Sequence, residues 1–104
     1  MERKLWVKSH ILPLYDKGKD LEVRTGGRYI NDIREQDIIV FNGQIKRRVI
    51  AIRRYIDFDA MLTIEDSDRI YPKSDKQTIK HGLERIYTRR SDDQGVVVFE
   101  LVLE

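Results

Sequence analysis

In "KLWVK" the apolar residues Leu5 and Val7 stand between basic neighbours, and this period of two predicts a first strand. The spacing then lengthens. Ile11, Leu14 and Tyr15 fall on one face of a helix, with Ser9 at its capping position, Pro13 in its first turn and Gly18 as its stop. "LEVR" returns to alternation, and Gly26-Gly27 marks a turn. "DIIVFNG" predicts a buried strand that ends in an Asn42-Gly43 turn, and "QIKRRVIAIRRYI" predicts the long strand that pairs back with it.

Helical periods resume after that hairpin. "DFDAMLTIEDSD" places Phe58, Met61 and Leu62 on one side of a single short helix. Ser74 and Gln77 form a capping box, after which Ile79, Leu83, Ile86 and Tyr87 recur at helical spacing. Gly82 within that helix costs about 1 kcal/mol relative to alanine, which suggests a close helix-to-sheet contact. A turn at Asp92-Asp93 and Gly95 leads into a last strand, "GVVVFELVLE". The order of elements predicts an α+β domain spanning 1–104, a small mixed β-barrel of about five or six strands with two or three short helices packed outside. Trp6, on the first strand, is expected to pack in the core or against its edge.

Composition narrows the class. The chain has 104 residues, 40% of them hydrophobic and 37% charged, and no cysteine, so disulfides, thiolate metal sites and a cysteine nucleophile are excluded. A charged N-terminal segment and the lack of any apolar run near membrane-spanning length predict a cytoplasmic protein with no membrane partner. Net charge is only +2, but basic residues gather at Lys46, Arg47, Arg48, Arg53 and Arg54 and again at Arg89-Arg90. A run of this kind is either the wet face of a strand or an approach surface for a polyanion. Glycine-rich phosphate loops, His-Glu-x-x-His and Gly-x-Ser-x-Gly motifs are all missing, and neither His10 nor His81 has a metal-ligand spacing, so no metal and no cofactor is expected.

One stretch concentrates chemistry. In "KGKDLEVRTGG", strand alternation sends Leu21 and Val23 to one side and Glu22 and Arg24 to the other, where Lys19 joins them. A carboxylate between an ammonium and a guanidinium is either a solvated surface group or the floor of a polar site.

Lys19-x-x-Glu22-x-Arg24 after a short first helix resembles the signature of the ASCH (activating signal cointegrator homology) domain, a relative of the PUA domain. "REQDIIVFNG", "RRYIDFDAMLTIED" and "GLERIYTRR" followed by "GVVVFEL" resemble further landmarks in family order, from about Trp6 to Leu101. The resemblance implies a PUA-like barrel with a cleft beside the Lys-x-x-Glu-x-Arg segment and a role in binding single-stranded RNA or a modified nucleoside. Lys19, Glu22 and Arg24 would then contact the ligand, with Tyr29 or Tyr55 stacking on a base and Arg53-Arg54 guiding the polyanion. One branch of similar proteins hydrolyses N4-acetylcytidine with a lysine, a threonine and a glutamate, and others are described as ribonucleases. Hydrolysis is therefore the alternative, with Lys19 as base or nucleophile activator and Glu22 as proton shuttle. A third reading makes the chain an interaction domain for a protein partner.

Overall fold

The computed structural model describes residues 1–87 and 95–104. It runs β1 (Glu2–Leu5), a 3-10 helix (Leu12–Asp16), β2 (Leu21–Thr25), α1 (Arg28–Asn31), β3 (Ile38–Phe41), β4 (Ile45–Tyr55), α2 (Phe58–Ile64), α3 (Ser67–Ile70), α4 (Lys76–Ile86) and β5 (Val96–Leu103). No described helix is long and apolar enough to cross a membrane.

The five strands form one mixed sheet in the order β1-β3-β4-β5-β2, parallel only between β1 and β3. The expected barrel is not closed by hydrogen bonds, because among the described residues β1 and β2 are edges that share no ladder. Side chains meet the free edge of β1 instead. The Tyr29 hydroxyl accepts from the Lys4 N–H at 2.9 Å and donates to the Lys4 carbonyl at 3.1 Å. Arg24 Nη2 donates to the Trp6 carbonyl at 3.0 Å. A row of unpaired edge groups is thus covered without a neighbouring strand.

Both faces of the sheet are buried along β5. Val97, Phe99 and Leu101 pack with Leu5, Tyr15, Phe41 and Val49. Val96 and Val98 face the other way, against Phe58, Met61 and Leu62 of α2 with Ile70 and Ile79. Each large apolar side chain removed from water contributes about 1.5–3 kcal/mol, and a strand buried on both faces reads as the continuous apolar run seen in "VVVFEL".

Two local features set the direction of the polar side chains. Asn42 and Gly43 both have positive φ, 54° and 68°, which is the backbone of the tight turn expected there. The Asn42 side chain also bonds the N–H and carbonyl of Val7, each at 2.8 Å. In β4 the register slips between Val49 and Ala51, so Ile50 is an extra residue in the strand. This bulge reverses the alternation, and Arg53 and Tyr55 emerge on the face carrying α2 rather than with Arg47 and Val49.

Several expectations are corrected. The first helix is a 3-10 turn whose N-cap is Ile11, with no side-chain cap from Ser9, because Pro13 and the short span leave too few residues for α-helical bonding. The segment read as one helix after the hairpin is two, since Asp66 accepts from the Asp68 N–H and starts α3. Asp75, not Ser74, caps α4 by accepting from the Thr78 N–H at 2.8 Å. A side chain at Gly82 would meet open space, so no close contact requires that glycine. Trp6 is 70% exposed and belongs to neither core. The Asp92-Asp93 turn and Arg89-Arg90 lie outside the described residues.

Candidate functional site

Lys19, Glu22 and Arg24 come together, and they do so inside the molecule. Glu22 on β2 is 4% exposed and Lys19 in the turn before it 6%. The strand turns Leu21 and Val23 toward the helices and Glu22 toward the 3-10 helix, where the Tyr15 hydroxyl donates to Glu22 Oε1 at 2.7 Å. Lys19 Nζ lies 3.5 Å from the same oxygen, and Arg24 Nε donates to Oε2 at 2.8 Å. The Tyr15 ring is in turn stacked on Phe41 with centroids 4.4 Å apart, and the Lys19 ammonium stands 5.5 Å from the Tyr15 ring centre.

The electrostatics follow from this geometry. Burial alone would raise the Glu22 pKa. The charges of Lys19 and Arg24, then the hydrogen bonds from Tyr15 and Arg24, outweigh it and hold the carboxyl below its usual range. Burial and the facing Glu22 push the Tyr15 phenol up, so it remains a neutral donor. Tyr87, at the end of α4, has its pKa raised by burial, lowered by the charge of Arg24 and raised by that of Glu22.

Lys19 is held from several sides. Its ammonium donates to the carbonyls of Leu21 at 2.9 Å and Ile70 at 2.8 Å and forms an ion pair with Glu22 at 3.5 Å. Lys19 also lines a shallow groove with Tyr15, Asp16, Arg47 and the end of β5; Glu22 and Arg24 do not line it.

The other proposed contacts lie elsewhere. Tyr29 covers the β1 edge as described. Arg54 donates to Asn31 Oδ1 at 2.7 Å. Arg53 donates to both oxygens of Glu65 at 2.6 and 2.9 Å and to Glu100 at 2.7 Å, and Tyr55 donates to Glu65. Arg69 then bridges Glu100 and Asp20, which makes a chain of ions across the outer face of β4 and β5. The remaining bases of β4 are paired as well, Lys46 with Glu2, Arg47 with Asp16 and Arg48 with Glu104.

Three participants escaped sequence reading. Tyr15 reads as one of an apolar helical face, and nothing in its spacing announces that its hydroxyl meets a residue on the next strand. The Trp6 carbonyl is a backbone group, invisible to residue type. Glu65 sits inside a predicted helix, and its position as the C-cap residue of α2 became evident only when that helix split.

The fold has solved counterparts. Over 97% of each chain it resembles the crystal structure of a hypothetical protein, PH0355, with a TM-score of 0.90 and 25% identity. It also resembles the solution NMR structure of protein PF0455 from Pyrococcus furiosus, with a TM-score of 0.82 and 28% identity over 97% of this chain and 96% of that one. No protein-family model and no curated protein matches the chain.

Proposed function

We propose that this chain is an ASCH-type, PUA-like cytoplasmic module that holds single-stranded RNA or a modified nucleoside at the Arg24 end of its buried ion cluster. The observation that carries this reading is the burial of Glu22 between Tyr15, Lys19 and Arg24. Buried ions of this kind are often no more stabilising than well-packed apolar residues of similar size. Their presence on β2 is better accounted for by the task of orienting Arg24, whose guanidinium reaches from the interior to the gap between β1 and β2.

Binding is favoured over hydrolysis by the state of Lys19. A buried ammonium that donates to two backbone carbonyls and is paired with a carboxylate is poorly disposed to serve as a base or nucleophile. The pairing of the β4 bases with nearby acceptors favours a small ligand or one short segment of strand over a long polyanion track.

The test is calorimetric titration of short single-stranded RNAs and of nucleosides, N4-acetylcytidine among them, into wild type and Arg24→Ala. Binding at least about tenfold weaker in the variant is expected, the size of a lost charged contact. Equal binding by the two proteins would remove Arg24 from the site, and release of acetate from N4-acetylcytidine would favour the hydrolytic reading.

A further inference from the structure

Most polar capacity in the cluster is already spoken for. Lys19 donates to two internal carbonyls and pairs with Glu22, Tyr15 donates to Glu22, and both oxygens of Glu22 accept from the groups around them. Arg24 is different. Its guanidinium has five N–H donors, of which one goes to Glu22 and one to the Trp6 carbonyl. The three left over, both hydrogens of Nη1 and one of Nη2, have no partner among the described residues, so the outer edge between Nη1 and Nη2 is open for a ligand, and the side chain retains 16% exposure. Two anchors, one through Nε and one through Nη2, fix the plane of the guanidinium, so this edge is presented in one orientation.

From this inventory we infer that the site reads a pair of adjacent hydrogen-bond acceptors through the outer edge of Arg24, and not the amino group of a base through Glu22. The inference rests on the binding role proposed above and specifies its chemistry. Glu22 is too buried to meet a ligand donor; its work is to aim Arg24. The O6 and N7 edge of guanine and the oxygens of a phosphate each offer such an acceptor pair. Adenine offers one donor beside one acceptor at the same edge, and the arginine has nothing to accept with.

NMR on protein labelled with nitrogen-15 separates these. The Nε–H signal of Arg24 is identified by its loss in Arg24→Lys, a variant that keeps the charge and loses the fork. Guanosine, adenosine and inorganic phosphate are then titrated separately into wild type, and thermal unfolding of the variant is followed in parallel. Guanosine or phosphate is expected to shift the Arg24 signal, with adenosine binding about tenfold more weakly than the better of them. A response to guanosine identifies a base edge as the source of the acceptors, and a response to phosphate alone identifies the backbone.

Arg24→Lys should weaken the responding ligand about tenfold, which shows as smaller shifts of the neighbouring backbone signals at equal concentration. If that variant does not fold, through-bond correlation of the Arg24 side chain to its own backbone amide in wild type identifies the same Nε–H signal, and its shifts decide the matter. Adenosine binding as tightly as guanosine, with phosphate silent, would overturn the acceptor-pair inference. So would RNA that binds through Arg24 while guanosine and phosphate leave its signal unmoved, although the binding role would then stand. No response to any of these or to RNA would overturn both.

Discussion

Tyr15 and Glu22, seven positions apart across the Gly18 turn, are joined by a 2.7 Å hydrogen bond between phenol and carboxylate inside the curl of the sheet. Because the ring stacks on Phe41, Tyr15→Phe preserves the packing and deletes only the donor. A hydrogen bond to a charged group is worth about 1.5–3 kcal/mol, so urea unfolding should show a loss of that order with an unchanged slope. An unchanged midpoint would mean that the phenol does not hold Glu22.

Acid stability should depend on the same carboxylate. The folded-state pKa of Glu22 is depressed below its ordinary value of 4.5, with burial opposed and outweighed by Lys19, Arg24 and Tyr15. In the unfolded chain Glu22 therefore takes up its proton at higher pH than in the folded protein. Its contribution is fully present above the unfolded pKa, declines as pH falls below that value, and is gone below the folded one. Glu22→Gln should unfold at a lower temperature than wild type at pH 7, and the gap should narrow as pH is lowered through this window. A constant gap would show that Glu22 is not the titrating group.

Arg53 joins β4 to both Glu65 and Glu100, and its side chain is about a third exposed, so solvent screens part of its worth. Arg53→Lys keeps the charge but loses the fork that meets both oxygens of Glu65. The expected loss is about 1 kcal/mol, read from chemical denaturation, with little effect on ligand binding. A large loss of RNA or nucleoside affinity with normal stability would instead return Arg53 to the ligand site.

The β1 edge offers a local test. In Tyr29→Phe the Lys4 N–H and carbonyl lose their shared partner. Exchange of the Lys4 amide with deuterium should accelerate while the amides of β5 keep their protection, since the hydroxyl lies at the sheet edge and not in the core. Unchanged exchange at Lys4 would show that the hydroxyl does not cover this edge.

The main strands are legible in the sequence: the β-branched run "VVVFEL" reads as a strand, its burial on both faces being added by the fold, and Asn42-Gly43 supplies the positive φ that the hairpin needs. The helix ends are less so. Asp75 competes with Ser74 for the cap of α4, and Asp66 interrupts what hydrophobic spacing alone makes continuous. The bulge at Ile50 has no residue signature, yet it decides that Arg53 and Tyr55 face Glu65 and the α2 side of the sheet rather than the side of Val49. At the candidate site the grouping of Lys19 with Glu22 and Arg24 follows from alternation. Its depth does not, because burial of Glu22 depends on Tyr15 and Phe41, which arrive from other elements.

The most direct measurement of the central claim is a titration of short single-stranded RNA and nucleosides into labelled wild-type protein, with every backbone and arginine side-chain signal followed. The account predicts that the largest shifts fall on Arg24, Trp6 and Glu22, around the gap between β1 and β2. Shifts confined to the paired basic residues of β4, or no shift with any of these ligands, would contradict it.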